Sequence, residues 1–167
     1  VVNAAAFTAV DRAENEESCA KTTNYDGVRN LAEVCESKGV KLIHISTDYV
    51  FSGEDGGTLE NPYRPSDLVN PITAYGRTKY QGERAELDCM SSTAHYIVRT
   101  GWLYDYEGRN FFNTMRGLSS GNDGEIKIVD NQKATPTWTG SLAEALREVV
   151  LRDLDSGIYH YSDKGVV

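Results

Sequence analysis

The sequence is poor in cysteine and has no long apolar runs. Its three cysteines, Cys19, Cys35 and Cys89, are odd in number and far apart. They form neither a CxxC pair nor a Cys/His zinc pattern, so we expect free thiols in a reducing compartment. No apolar run approaches the roughly 20 residues of a membrane-spanning helix, and no basic, apolar leader opens the chain. We therefore expect a soluble, cytoplasmic protein that has no membrane partner.

Basic residues are scarce as well. Lys and Arg number 17 against 25 Asp and Glu, which gives a formal net charge of -8. A protein that binds nucleic acid needs a basic face to displace counterions from phosphates, so we expect no nucleic-acid partner. The chain is long enough for one hydrophobic core and marginal for two, and we predict a single domain over residues 1–167.

Proline is confined to a few places, and three of the four prolines lie in residues 52–71. A stretch of this kind predicts a long surface loop, and such loops are usually functional. On either side of it, strand and helix patterns alternate, which predicts an α/β fold with a parallel sheet. The predicted strands are 1–2, 40–46, 94–100, 125–130 and 157–161; the predicted helices lie within 14–39, from an Asn70 N-cap and Pro71 to 90, over 111–120 and over 141–152.

Polar residues that could carry chemistry follow the second predicted strand. Ser46, Thr47 and Asp48 lie at its carboxyl end, where open parallel sheets bind ligands. Tyr75 and Lys79 lie four residues apart in a predicted helix, so their side chains leave the same face. An ammonium beside a phenol stabilises the phenolate and lowers its pKa, which predicts an acid–base pair.

Six segments, taken in order, resemble dTDP-4-dehydrorhamnose reductases of the extended short-chain dehydrogenase/reductase superfamily. They are "VNAAAFTAVDRAE", "NYDGVRNLAE", "HISTDYVFSG", "NPITAYGRTKYQGE", "RTGWLYDYEGRNFFNTM" and "DNQKATPTWTGSLAEAL". The resemblance implies a partial Rossmann-like parallel sheet with flanking helices. It also implies part of a small C-terminal substrate-binding region, to which residues 101–140 and 157–167 contribute.

The resemblance also implies an activity: reduction of the 4-keto group of dTDP-4-dehydro-L-rhamnose to dTDP-L-rhamnose, with NADPH or NADH as cofactor. It allows a Mg²⁺ ion, for which no ligands can be assigned, and it favours a homodimer. The implied catalytic residues are Thr47, Tyr75 and Lys79, with Lys79 lowering the Tyr75 pKa. The implied cofactor-binding residues are Asn3, Ala4, Ala5, Ser46, Tyr75 and Lys79, and the implied substrate-binding residues are Thr47, Asp48, Trp102, Arg109 and Asn110.

One feature of the family is missing from the sequence. The G-x-x-G-x-x-G turn that receives the pyrophosphate of a dinucleotide does not occur, and the chain begins with Val1 instead of Met. We interpret the chain as a fragment, and we predict that it binds dinucleotide weakly when tested by itself.

Three alternative functions remain open at this stage. A sugar-nucleotide dehydratase typically has a second carboxylate after the aspartate at the strand end, where this chain has Tyr49. A sugar-nucleotide epimerase shares the triad and is not distinguished by it. The non-catalytic regulatory subunit of methionine adenosyltransferase also resembles the reductases, although its strand end tends to read Ser-Ser-Asp, where this chain has Ser46-Thr47-Asp48.

Overall fold

A computed structural model describes residues 1–54, 56–58, 60–121, 128, 132–152 and 154–166. Its strands and helices, in chain order, are β1 (Val2–Asn3), α1 (Val10–Ala13), α2 (Glu17–Lys21), α3 (Gly27–Lys38), β2 (Leu42–Thr47), α4 (Ala74–Cys89), β3 (His95–Thr100), β4 (Leu103–Tyr104), α5 (Phe111–Gly121), β5 (Thr137–Trp138), α6 (Thr139–Leu151) and β6 (Gly157–His160). Over these ranges no helix is both long and apolar enough to cross a membrane.

The main sheet has four strands in the order β1-β2-β3-β6, and every neighbouring pair is parallel. Helices α1 to α3 connect β1 to β2, and α4 connects β2 to β3. Because all strands run the same way, their carboxyl ends meet at one edge of the sheet, where Thr47 lies opposite Thr100. The predicted α/β, Rossmann-like class is confirmed.

The chain divides into two compact units. The first contains Val1–Thr100 and Leu154–His160, and the second contains Gly101–Asp153 and Tyr161–Val167. The predicted contributors to a substrate-binding region, residues 101–140 and 157–167, lie in the second unit except for 157–160, which form β6 of the main sheet. Strands β4 and β5 form a separate parallel pair in the second unit.

The helix predicted within residues 14–39 is divided into two. Between α2 and α3 the chain makes a π-helical turn over Thr22–Asp26, and Asn24 in that turn is fully buried. The end of α3 is as predicted, because Gly39 adopts the left-handed conformation of a C-cap with φ of 64°. Helices α5 and α6 confirm the two later helix predictions. The strand predicted over 125–130 lies outside the described residues apart from Ile128.

The predicted start of α4 is wrong. The helix begins at Ala74, and its N-cap is Thr73, whose side chain accepts a hydrogen bond of 3.0 Å from the Gly76 N–H. The backbone N–H of Asn70 donates to the Val50 carbonyl at 2.9 Å instead. Residue 70 is therefore part of the loop, which it connects to the turn that follows β2.

Two glycines in α4 let the backbone of other segments come close to this helix. A Cβ at Gly82 would meet the backbone carbonyl of Asn24, and one at Gly76 would meet the backbone carbonyl of Tyr49. This close packing presses α4 against both the π-helical turn and the segment that follows β2. It fixes the position of the helix that carries Tyr75 and Lys79.

Candidate active site

The structure places the three predicted catalytic residues on two adjacent elements. Thr47 is the last residue of β2, Tyr75 lies in the first turn of α4, and Lys79 lies one turn further along the helix. The Thr47 hydroxyl lies near enough to the side chain of Tyr75 to influence its pKa. It also donates to Asp48 Oδ1 at 3.1 Å and accepts from the Tyr49 N–H at 3.2 Å. Two hydroxyl groups therefore meet at the carboxyl edge of the sheet.

The pKa of Tyr75 differs from the sequence-based expectation. Burial raises it above the usual value of a phenol, the nearby Thr47 hydroxyl opposes that rise, and the charge of Asp48 adds to it. The Tyr49 ring packs edge-on against Tyr75, with centroids 5.6 Å apart. The net shift of the Tyr75 pKa is upward and Lys79 is not among the groups that cause it, so a lowering of this pKa by Lys79 stays a prediction. Tyr75 is a protonated phenol at neutral pH.

Lys79 is almost completely buried, with a relative exposure of 2%. Its Nζ donates to the Ile45 carbonyl at 2.7 Å and lies 3.4 Å from Nε2 of His44. Burial lowers the pKa of Lys79 to about 8, against the opposing charges of Glu83 and Glu86. The amine is thus held against β2 beneath the Thr47–Tyr75 pair.

The two residues beside Thr47 point in different directions. Burial raises the pKa of Asp48, whose carboxylate accepts the Thr47 hydrogen bond. The Ser46 hydroxyl donates to Glu83 Oε1 at 2.5 Å, away from the carboxyl edge of the sheet. The expected contact of Ser46 with a cofactor would therefore have to come from its backbone, because its hydroxyl is hydrogen-bonded to Glu83 of α4.

The loop after β1 has the properties expected of a dinucleotide-binding segment. Asn3 is buried, while Ala4 and Ala5 are exposed directly after the carboxyl end of β1. Methyl side chains at this edge leave room for a flat ligand to approach the backbone. A dinucleotide therefore fits the residues that are present here.

Asn24 holds this loop in place and was not identified from the sequence. Its Oδ1 accepts from the Phe7 N–H at 2.8 Å, and its Nδ2 donates to the Phe7 carbonyl at 3.2 Å and to Thr78 Oγ1 at 3.1 Å. Asn24 lies in the π-helical turn, a feature that often occurs at functional sites. No local sequence signal separates it from an ordinary helical asparagine.

The three predicted substrate-binding residues beyond β3 all lie in the second unit. Trp102 has a φ of 49°, the one positive value among described residues other than glycine, which is an unusual conformation for a bulky side chain. Asn110 caps α5, since its Oδ1 accepts from the Asn113 N–H at 2.8 Å and its Nδ2 donates to the Asp105 carbonyl at 2.8 Å. Arg109 is exposed.

The Mg²⁺ ion that the resemblance allows would need a group of ligating side chains. Within the described ranges, no three side chains of His, Cys, Asp or Glu are grouped so that they could hold a metal ion. The acidic residues near the start of α2 have other contacts: Glu14 accepts from the Ala74 N–H at 2.7 Å, and Glu17 pairs with Arg77 at 3.0 Å.

A parallel sheet with a hydroxyl at one strand end, and a Tyr-x-x-x-Lys pair in the following helix, define an α/β protein of the short-chain dehydrogenase/reductase type. The profile of the RmlD substrate binding domain family matches residues 1–167. The chain belongs to that family.

Similar proteins agree with this assignment. The dTDP-4-dehydrorhamnose reductase of Streptomyces griseus is 44% identical over 169 residues, which cover 99% of this chain and 54% of the relative. The crystal structure of the Bacillus anthracis dTDP-4-dehydrorhamnose reductase in complex with NADP has a TM-score of 0.90 at 36% identity, covering 99% of this chain and 56% of that one. The Clostridium acetobutylicum reductase has a TM-score of 0.88 at 41% identity, with coverage of 99% and 56%. The chain spans about half the length of the relatives it matches.

Proposed function

We propose that the protein containing this chain reduces the 4-keto group of dTDP-4-dehydro-L-rhamnose to give dTDP-L-rhamnose, using NADPH or NADH. The observation that carries the proposal is the juxtaposition of the Thr47 and Tyr75 hydroxyl groups at the carboxyl edge of a parallel sheet, one helical turn from the buried Lys79. The similarity to named reductases supports the same activity. Because the chain spans about half of those relatives, the proposal concerns the protein at its full natural length.

The two hydroxyl groups would act on the substrate carbonyl. The raised pKa of Tyr75 keeps its phenol protonated at neutral pH, which is the state required for giving a proton to the carbonyl oxygen during reduction. Thr47 would donate a hydrogen bond to the same oxygen and stabilise the negative charge that develops there. For this, its hydroxyl hydrogen would have to turn from Asp48 towards the substrate.

A nicotinamide cofactor, when bound, supplies the hydride. Ala4 and Ala5 would lie along the dinucleotide because their methyl groups are exposed at the carboxyl edge of the sheet, and the Ser46 backbone would lie beside it. Lys79 would hold the ribose of the cofactor through its amine, and Asn24 would keep the loop after β1 in place.

The second unit would supply the substrate-binding region. We assign Trp102 to the sugar and Arg109 to the diphosphate, whose oxygens suit a guanidinium fork. Asn110 would contribute by holding the loop that carries Arg109, since its side chain is engaged with Asp105 and Asn113. We also propose a homodimer, which light scattering on the full-length protein would test.

The experiment follows nicotinamide absorbance with time, using dTDP-4-dehydro-L-rhamnose with NADPH or NADH and the protein at its full natural length. We expect the absorbance to fall, and Tyr75→Phe to slow that fall by about 10²–10⁴-fold, because the variant lacks the proton donor. The matched control is Tyr80→Phe on the same helix, at a tyrosine that lines a surface groove with Tyr25 and Arg84. This variant should keep the full rate.

Different results would identify the alternatives. A folded protein that binds the dinucleotide but oxidises none of it with this sugar would contradict the proposal, and would favour the regulatory-subunit function. Release of water from the sugar without net oxidation of nicotinamide would indicate a dehydratase. A change of configuration, again without net oxidation, would indicate an epimerase.

A further inference from the structure

A line of buried polar groups leads from β1 through β2 to Lys79. Asn3 Nδ2 lies 3.1 Å from His44 Nδ1, and His44 Nε2 lies 3.4 Å from Lys79 Nζ. The relative exposures of Asn3, His44 and Lys79 are 6%, 0% and 2%. His44 and Asn3 lie opposite each other in the register of the two strands.

The contact between Asn3 and Ala5 fixes the orientation of the asparagine amide. The Ala5 N–H donates at 3.1 Å to the Asn3 side chain, and a backbone N–H can only donate, so the atom that receives it is Oδ1. The amide nitrogen Nδ2 is therefore the atom that faces His44, and it too can only donate.

This orientation determines the tautomer of His44. Because Nδ1 accepts a hydrogen bond from Asn3, a neutral imidazole must carry its proton on Nε2. His44 is neutral, since burial and the charge of Lys79 hold its pKa well below the usual value against an opposing influence of the Asn3 backbone. The ring N–H therefore points towards Lys79 Nζ.

An N–H facing Nζ favours one protonation state of Lys79. An ammonium has donors only, so it would meet the His44 N–H donor to donor, whereas a neutral amine has a lone pair that accepts this hydrogen bond. The Ile45 carbonyl accepts from Nζ in either state and does not discriminate between them. The geometry therefore favours the amine over the ammonium.

We propose that Asn3 and His44 are positioning residues that reduce the basicity of Lys79, because Asn3 fixes the His44 tautomer that presents Nε2–H to the Lys79 amine. This inference deepens the proposed function and rests on it for the role of Lys79 in catalysis. The pKa of Lys79, which burial lowers to about 8, agrees in direction.

Other charged groups around Lys79 act in the opposite direction or are engaged elsewhere. Glu83 and Glu86, on the same helix, both raise the Lys79 pKa. Glu83 is shared with Arg99 and Ser46, and the carboxyl oxygens of Glu86 have no hydrogen-bond partner. In the proposed tautomer, His44 is the group that faces Lys79 from β2 and opposes its protonation.

The test uses NMR on the protein at its full natural length. Long-range ¹⁵N–¹H correlations of labelled imidazole rings report which nitrogen carries the proton, and the His44 signals are assigned by their loss in a His44→Phe variant. We expect the proton on Nε2 in the unmodified protein. A proton on Nδ1, or on both nitrogens at neutral pH, overturns the proposal without any need for a substitution.

The second measurement is the titration of Lys79 itself, followed by the ¹³C shift of its Cε and assigned with Lys79→Met. We expect a midpoint near the pKa of about 8 in the unmodified protein and a rise of about one pH unit in His44→Phe, a tenfold gain in proton affinity. The control His160→Phe, at the end of β6, should leave the Lys79 titration unchanged. An unchanged midpoint in folded His44→Phe overturns the proposal.

Asn3→Asp tests the tautomer step. A carboxylate at position 3 still accepts from the Ala5 N–H, but it can also accept from His44 Nδ1–H, which leaves Nε2 free to accept from an ammonium. We compare two rises of the Lys79 midpoint: the rise that Asn3→Asp causes in the unmodified protein, and the rise that it causes in His44→Phe. We expect the first rise to be larger, because without the His44 ring Asn3→Asp adds only its charge. Equal rises would overturn the role of the tautomer.

The reductase assay separates this inference from the proposed function. The protein could show the His44 proton on Nε2 and the expected Lys79 shift but have no reductase activity. This result would support the inference and contradict the proposed function. Reductase activity in a protein with His44 protonated on Nδ1 does the reverse.

Discussion

Arg99, near the end of β3, donates two hydrogen bonds to Glu83 of α4 in the interior of the chain. Its Nε lies 2.9 Å from Oε1 and its Nη2 lies 2.7 Å from Oε2, and the two side chains are 3% and 0% exposed. The guanidinium also lies 5.2 Å from the centroid of the Phe51 ring, and Ser46 donates to the same carboxylate. The pair therefore joins β2, β3 and α4 beneath the candidate active site.

Breaking this ion pair should destabilise the fold. We expect Glu83→Gln to lower the free energy of unfolding by about 3 kcal/mol, because it leaves the buried charge of Arg99 without its counterion. Urea denaturation measures this loss. Replacing both residues, as Glu83→Leu/Arg99→Met, should recover most of it, since no unpaired charge remains. The exposed pair Arg84–Asp88, also in α4, provides the control, and Arg84→Ala should change stability little.

Glu86 should make the protein less stable as pH rises. Burial, helped by the charge of Glu83, raises its pKa from 4.5 to about 8, and neither of its oxygens has a hydrogen-bond partner. Between these two pH values the unfolded chain releases the proton and the folded chain keeps it, so stability falls with rising pH and then levels off above about 8. The expected slope is on the order of 1 kcal/mol per pH unit.

Glu86→Gln should remove this slope and should be more stable than the unmodified protein at pH 7.5, as measured by urea denaturation across the pH range. The control is Glu33→Gln at an exposed position of α3, which should keep the slope. Parallel curves for Glu86→Gln and the unmodified protein would show that Glu86 is ionised inside the fold.

Gly82 should not tolerate alanine, although alanine favours helices by about 1 kcal/mol. An added Cβ would collide with the Asn24 backbone carbonyl, so we expect Gly82→Ala to lower the thermal midpoint at a net cost of about 1–3 kcal/mol. A Cβ added at Gly117 in α5 would have nothing within 4 Å, and Gly117→Ala should instead be neutral or stabilising. A stabilising Gly82→Ala would mean that α4 packs less closely than described.

Local sequence patterns were sufficient for most of the fold and for placing Thr47 at a strand end and Tyr75 and Lys79 on one helix. The apolar run of β2, the Gly39 cap and the four-residue spacing of Tyr75 and Lys79 all depend on nearby residues, and each was predicted correctly. The start of α4 was misplaced because Asn70 and Thr73 are both good N-caps. A distant contact, from Asn70 to the Val50 carbonyl, decides between them.

The buried charges could not be predicted in the same way. Glutamate is rarely buried, and the burial of Glu83 depends on Arg99 in another strand. One signal was available: Lys79, Glu83 and Glu86 follow Tyr75 at helical spacing, which places four polar residues on one face of α4. The upward shift of the Tyr75 pKa could not be predicted from spacing, because spacing gives proximity along a helix, whereas burial and the contact of Lys79 with Ile45 depend on the strand behind it.

Thr47 provides the most direct test of the active site. Thr47→Val keeps the shape of the side chain but removes the hydroxyl that contacts Tyr75 and Asp48, and we expect it to lower kcat by about 10²–10³-fold. Thr47→Ser keeps the hydroxyl and should stay within about tenfold of the original rate. Both are measured by nicotinamide absorbance, with circular dichroism as the control for folding.

The pH profile distinguishes a catalytic role of Thr47 from a structural one. The nearby Thr47 hydroxyl lowers the Tyr75 pKa against the effect of burial, so the loss of this hydroxyl should raise that pKa further. Tyr75 must be protonated to donate its proton, and the rate falls when pH exceeds its pKa. The basic limb of the kcat profile should therefore move to higher pH in Thr47→Val and remain in place in Thr47→Ser. An unmoved basic limb in Thr47→Val would show that the two hydroxyl groups do not act together.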